Sequence, residues 1–370
     1  MAGKKTRVLW LNHRDIMHSR AGGAERSIAE ISSRLARSGF QVSLYTVNDG
    51  ILKEHELLHG SNVHRAPSNM IAHALVFKEI KDTNPDVIID DMAHAVPWSS
   101  SIFSKKPVIV FFRHLHARTI NGQLPLPQAS IIKLLESMYT FIYPNSVFVT
   151  ESESSAFDLE RIGIPRNRIR VIPPGVDHSL FRPMPKTKYP SIVYFSGLRD
   201  YKRPWLSLNA LEQAQKINNA ASLKIVGSGP TLEKVKEASA HYKNVAFTGR
   251  VKDRELSAII AKSWINLNLS TAEGFGYSIL EAASCGTPTI ALDAYGVSET
   301  VQKYGFGIVI KDMHEFGTAY EEISKDIKAW SIKVRNSAKK FSWEKCAREW
   351  VSLIEREKRK GSERINKKVF

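Results

Sequence analysis

The chain has little cysteine: only Cys285 and Cys346, far apart and without C-x-x-C spacing. That scarcity excludes a secreted disulfide scaffold and a cysteine-rich zinc site, and it predicts a reducing, cytoplasmic setting. Long apolar runs are also missing. None approaches the roughly 20 residues of a membrane span, and the run from Val8 to Asn12 behind the basic start is too short for a signal-peptide core. No short-period repeat and no low-complexity tract is present, which excludes solenoids and compositional disorder.

Acid is the other shortage. Thirty-seven Asp and Glu face 53 Lys and Arg, for a formal charge of +16. Such an excess suits a polyanionic neighbour: a nucleic acid, an anionic lipid surface or a phosphorylated substrate. Charge alone does not choose among these, and plain solubility would account for it equally. Part of the excess lies in the tail, where Arg356, Lys358, Arg359, Lys360, Arg364, Lys367 and Lys368 outnumber Glu355, Glu357 and Glu363, as in a solvated arm. No zinc-finger, RNP-like or helix-turn-helix signature accompanies the charge, so a nucleic-acid partner is the weaker reading.

With 370 residues, 43% of them hydrophobic, the chain can bury two cores. Short apolar runs alternate with amphipathic stretches, the pattern of βαβ units and parallel sheets. In the first half the runs are Val8–Leu11, Val42–Thr46, Val87–Asp90, Val108–Phe112, Val147–Thr150 and Ile169–Ile172. Helices are expected after the Gly22-Gly23 loop, at Met70–Asp82 and at Glu153–Ile162. Five prolines between Ile172 and Pro190 forbid helix or central strand and mark a linker. The pattern restarts with Ile192–Phe195, Leu223–Val226, Val245–Thr248, Ile265–Leu269, Thr289–Leu292 and Ile308–Ile310. The expected fold class is α/β, with Rossmann-like doubly wound domains over 1–180 and 190–342 and a final helix and basic tail over 343–370. Two facing sheets of this kind would frame one interdomain cleft.

Chemistry concentrates in TAEGFGYSILEAASCGT, Thr271 to Thr287. A strand ending near Leu269 runs into a loop with Glu273, Gly274 and Gly276, and Tyr277–Ser284 reads as a helix. Glycines admit a phosphate close to the backbone, and a helix start favours negative charge. Glu273 and Glu281 would repel that phosphate unless they accept hydrogen bonds from hydroxyls, which points to sugar or ribose groups. Ser278 to Glu281 also spells a capping box, which accounts for Glu281 without any ligand.

With its E-x7-E spacing inside EGFGYSILEAASCGTP, the segment closely resembles the retaining glycosyltransferases of family 4, which have the GT-B fold. The resemblance continues through AGGAER (21–26), RVIPPGVD (170–177), LKIVGSGP (223–230) and FTGRV (247–251). It implies that Glu273 contacts the donor sugar, that the amides of Gly274, Phe275, Gly276 and Tyr277 meet the diphosphate or sugar, and that Glu281 holds the ribose. It also places Gly22 and Gly23 near the donor phosphates, and Gly249 and Val251 beside the base. FSGLRDYKRPW (195–205) resembles the family's phosphate-binding turn, with Arg199 and Lys202 as its cations. Leu198 stands where many relatives have the arginine, which leaves Arg203 as an alternative. RHLHART (113–119) resembles the histidine loop, with His114 and His116 beside the sugar.

The implied reaction is metal-independent hexose transfer from a nucleoside diphosphate sugar, such as GDP-mannose or a UDP-sugar, to a glycan or polyprenyl-phosphate-linked acceptor. No cofactor is expected, and the final helix should return to the first domain. The apolar stretch Ala129–Tyr143 is read as a core helix, or as a face against a membrane or lipid acceptor, which would put the enzyme peripherally on a cytoplasmic membrane surface. A nucleotide-sugar epimerase or another GT-B enzyme is the rival reading. Base, sugar, acceptor, linkage and oligomeric state stay open.

Overall fold

The computed structural model describes residues 5–94, 96–118 and 126–366. Thr119 of the histidine loop, and Lys367 and Lys368 of the tail, lie outside them. The chain divides into two compact units, one formed by Met1–Pro174 with Trp343–Phe370 and the other by Gly175–Ser342.

Among its described residues the first unit carries eight strands: β1 (Arg7–Leu11), β2 (Gln41–Val47), β3 (His55–Leu58), β4 (Ser61–Ala66), β5 (Val87–Met92), β6 (Val108–Phe112), β7 (Val147–Thr150) and β8 (Ile169–Val171). They lie in the order β3-β4-β2-β1-β5-β6-β7-β8. All neighbours pair in parallel except β3 with β4. Strands β1, β5, β6 and β7 are buried almost throughout, as parallel strands covered on both faces must be, and their unbroken apolar runs follow from that. HELL and SNVHRA, which form β3 and β4, have no such run, and the sequence pattern misses both. In β4 an inward position is taken by Arg65, whose guanidinium is buried against Asp15 at 2.6 Å.

The last helix, Trp343–Asn366, belongs to this unit. Trp350 packs against Trp10 of β1 and Phe111 of β6, with ring centroids 5.4 and 4.9 Å away. Arg34 pairs with Glu344 at 2.7 Å, and Lys358 donates to Thr6 Oγ1 at 2.9 Å. The tail expected as a solvated arm is therefore helix as far as Asn366. Its apolar stripe buries large rings while Lys345, Arg348, Arg359 and Lys360 are exposed.

The second unit has six strands: β9 (Ser191–Phe195), β10 (Ser222–Val226), β11 (Val245–Gly249), β12 (Ile265–Asn268), β13 (Thr289–Leu292) and β14 (Gly307–Ile310). They form a fully parallel sheet in the order β11-β10-β9-β12-β13-β14. No regular element spans Ile172–Pro190, as its prolines dictate, yet the segment is tied down from Gly175 onward. His178 bridges Ser284 Oγ and Phe341 O, both at 2.9 Å. Lys186 donates to Ser263 O and Thr287 Oγ1, each at 2.7 Å, and burial lowers its ammonium to about 7.

Candidate functional site

In a doubly wound sheet, ligands bind beyond the carboxyl ends of the strands where the strand order reverses. In the second unit that point lies between β9 and β12, and the two turns leaving these strands carry FSGLRDYKRPW and TAEGFGYS. Lys202 Nζ pairs with Glu273 Oε1 across it. The Ser270 hydroxyl donates to the same Glu273 oxygen at 2.7 Å. Burial opposes charge on Lys202, but the Glu273 carboxylate, with the Tyr201 and Tyr194 hydroxyls beside it, raises the ammonium above its ordinary value.

The turns are held by main-chain contacts. Thr271 N–H donates to Tyr201 O at 2.8 Å, and Glu273 N–H to Tyr295 O at 3.0 Å. A Cβ on Gly296 would stand 2.0 Å from the Glu273 carbonyl oxygen. Likewise a Cβ on Gly227 would meet Ser196 O at 2.0 Å, and one on Gly229 would meet Leu198 O at 2.2 Å. This explains the two glycines of LKIVGSGP: they let the turn after β10 lie directly on the turn after β9. Leu198 is fully buried in the core of this unit. Packing therefore accounts for a leucine there, and Arg199 falls one position later on the exposed side. Arg203 is committed elsewhere, donating to Leu269 O at 2.5 Å and Ser270 O at 3.0 Å, where it clamps the end of β12 to the β9 turn.

Helix Tyr277–Ser284 begins at Gly276, whose φ of +85° suits glycine at the helix N-cap. This corrects the capping-box expectation. Ser278 is already the second helical residue and lies 3.4 Å from Asn268 Nδ2, so Ser278-x-x-Glu281 does not close the helix start. Glu281 sits one turn into the helix and is half-buried. The Phe275 ring is buried against Tyr304 and Phe341, so this residue has only its backbone to offer a ligand. Gly249, at φ +66°, accepts from Gly227 N–H at 2.8 Å, and Val251 packs on the edge of the core below it.

In the first unit the order reverses between β1 and β5. Gly22 and Gly23 are exposed at the start of helix Gly23–Arg37, where Glu25 accepts from Gly22 N–H at 2.7 Å. His114 and His116 follow β6 with their rings 5.0 Å apart. Buried Glu136 accepts from the backbone of His116 at 2.5 Å and of Ala117 at 3.2 Å, which fixes the histidine loop from below. Arg113 anchors the loop start. Its guanidinium reaches Asp91 at 2.8 Å, Glu151 at 3.0 Å and Ser27 Oγ at 2.8 Å, all buried.

Sequence reasoning missed a second histidine group at this point. His13 Nε2 lies 3.0 Å from His73 Nε2, and the His13 ring is 4.4 Å from that of His94 and 4.7 Å from that of Trp98. Burial, helped by His94, His73, Arg14 and His116, lowers His13 from 6.5 to about 2, so its imidazole stays neutral. Each of these residues stands alone in the sequence, and only the pairing of β1 with β5 and the packing of helix Asn69–Thr83 gather them.

Two family models match successive stretches of the chain: Glycosyltransferase Family 4 over residues 21–180, and Glycosyl transferases group 1 over 178–341. The chain belongs to glycosyltransferase family 4. Among its family 4 relatives is a GDP-mannose-dependent alpha-(1-6)-phosphatidylinositol monomannoside mannosyltransferase of Mycobacterium tuberculosis, 34% identical over 40% of this chain and 43% of that protein. The chain thus matches less than half the length of that relative. Two solved structures show the GT-B fold shared across the family 4 chain. Sucrose-phosphate synthase from Thermosynechococcus elongatus has a TM-score of 0.80 at 18% identity, covering 95% of this chain and 99% of that one. Anabaena HepE in complex with UDP-glucose has a TM-score of 0.74 at 16% identity, covering 94% and 99%.

Proposed function

We propose that the chain is a retaining hexosyltransferase that takes its sugar from a nucleoside diphosphate donor without a metal ion. The observation that carries this reading is the Lys202–Glu273 pair at the strand-order reversal of the second unit, beside the N-terminus of helix Tyr277–Ser284. As the glycosidic bond breaks, charge builds on the departing diphosphate. Lys202 and the helix-terminal amides are fixed donors of the right sign, with exposed Arg199 on the same turn as Lys202, and together they would do the work a metal would otherwise do. In this structure the ammonium and the carboxylate satisfy each other. A diphosphate sharing Lys202 would release Glu273 oxygens to accept from sugar hydroxyls, and Glu281 would take the ribose. Glu273 is then a positioning group for the donor, and a leaving phosphate oxygen assists deprotonation of the acceptor on the same face, which gives retention.

A lipid-linked acceptor is supported by the stretch Ala129–Tyr143. It forms helix Leu126–Ser137 and a short turn of helix at Tyr139–Ile142. Its only buried carboxylate, Glu136, points inward, while Ile131, Leu134 and Phe141 are 58%, 60% and 80% exposed. Ala129, Tyr139 and Tyr143 are buried on the core side, so the stretch is two-faced, and its exposed apolar side suits a lipid surface, to which the net charge of +16 would add attraction for anionic headgroups. No helix among the described residues is long and apolar enough to cross a membrane. The relative from M. tuberculosis is named for a phosphatidylinositol mannoside acceptor.

The test is Glu273→Ala, which should abolish transfer while the chain still folds; retained turnover would overturn the reading. A thermal-shift screen with GDP, UDP, GDP-mannose and UDP-hexoses names the donor, since a ligand at about 100 times its Kd stabilises by about 2.7 kcal/mol. Full turnover in EDTA is expected. Sedimentation with phosphatidylglycerol vesicles should be lost in a Leu134→Ser, Phe141→Ser double variant.

A further inference from the structure

We propose that Glu54, His55 and His64 form a binding site for a divalent transition-metal ion, with zinc the best match, on the β3–β4 edge of the first unit. The three residues are not near each other in an obvious metal-binding spacing, and the hairpin register is what joins them. His55 pairs directly across from His64 in the antiparallel ladder, and their rings stack at 4.4 Å and 19°. His55 Nε2 lies 3.6 Å and His64 Nε2 3.8 Å from the same Glu54 Oε1. All three ligand atoms fall within 4.8 Å of one another. Tetrahedral zinc with bonds of about 2.0–2.1 Å needs its ligand atoms roughly 3.3–3.4 Å apart. Glu54 and His55 are exposed, so rotation of their side chains is the movement that would bring the three atoms to that spacing.

A second feature distinguishes this cluster from chance surface charges. His64 Nδ1 is hydrogen-bonded to Glu79 Oε2 at 2.6 Å, from helix Asn69–Thr83. A carboxylate on one ring nitrogen orients the imidazole and leaves the other nitrogen to the metal, the arrangement that supports histidine ligands in zinc sites. The Glu54 backbone is also fixed, since its carbonyl accepts from Arg65 N–H at 2.8 Å. Arg65 itself points to the opposite face of β4, where Asp15 and Glu56 neutralise it, so no cation of its own opposes an incoming one. Two imidazoles and one carboxylate suit zinc and its first-row neighbours and do not suit magnesium or calcium, which take oxygen ligands. Three protein ligands leave a fourth position for water. Bound there, the ion would join an edge strand to its neighbour and to the helix behind them, apart from the Lys202–Glu273 chemistry of the other unit.

The full chain, stripped with chelator and dialysed, is titrated with zinc chloride by calorimetry, then with cobalt chloride by visible absorption and with magnesium chloride as the oxygen-seeking control. One zinc per chain, a tetrahedral cobalt spectrum and no magnesium uptake are expected. His55→Ala and Glu54→Gln, both at exposed positions and so compatible with folding, should each weaken zinc by at least about tenfold, and Glu79→Gln by about 10–100-fold. Transfer by the His55→Ala variant should match wild type, which keeps this test separate from the donor-site reading. Zinc affinity in the wild type no tighter than in His55→Ala would overturn the proposal, whether both bind it or neither does.

Discussion

At the strand-order reversal of the first unit, His13 is held neutral among His73, His94 and Trp98; at that of the second, Lys202 and Glu273 meet as a charged pair. The topology at the two places is the same: parallel strands, an order reversal, turns from neighbouring carboxyl ends. What differs is how each unit handles charge there. The first buries its ions one layer back, in Arg113 with Asp91 and Glu151 and in Arg65 with Asp15, and presents the neutral ring of His13. The second leaves its ion pair half-buried at the reversal itself. The fold supplies the position, and side chains in the segments that follow the strands decide the chemistry.

Disrupting the layer behind the histidines should have the largest effect. Arg113→Met leaves Asp91 and Glu151 as buried charges without their shared cation, and a urea titration should show a loss of about 3–5 kcal/mol. The corresponding change in the second unit, Lys202→Met, should instead spare stability and cost about 10²–10³ in kcat, or about 2.7–4 kcal/mol of barrier, measured with the donor that the thermal-shift screen identifies. If both variants fail in the same way, the contrast between a structural and a chemical ion pair is wrong.

Acid sharpens the comparison from the histidine side. His13 binds a proton readily when unfolded, at its ordinary 6.5, and resists one when folded. Its contribution is therefore complete above pH 6.5 and declines as pH falls, by about 2 kcal/mol between pH 6.5 and 5. Urea midpoints across that range should show a slope in wild type that is shallower in His13→Asn. The smallest effect is expected from Glu25→Ala, which removes the acceptor of Gly22 N–H at 2.7 Å and should cost about 1 kcal/mol by the same measurement.

Most of this architecture was legible because parallel strands buried on both faces are written as uninterrupted apolar runs, and helix Tyr277–Ser284 could be read to the residue. Strands β3 and β4 were not, since an edge hairpin with His55, His64 and Arg65 has no such run. In the site, Glu273 and Lys202 were readable from local pattern, but their direct pairing was not, because 71 residues separate them. The sequence of Ser278 to Glu281 was misleading in the opposite direction: it has the letters of a capping box, while the main chain turns into the helix two residues earlier, at Gly276. His13, His73 and His94 carry no pattern at all. Two residues just past strand ends and one on helix Asn69–Thr83 become a group only through the tertiary fold, which periodicity does not report.

The close approach of Gly227, Gly229 and Gly296 to carbonyl oxygens has a consequence for anyone altering this protein. The frame of the proposed donor site is a template drawn in main chain, and three positions with no side chain are the ones least able to accept another. A saturation library scored for folding should show intolerance at these glycines, while neighbours such as exposed Arg199 vary freely. If donor binding takes place there as proposed, donor preference could be reshaped through the side chains around these turns without disturbing the frame that holds them.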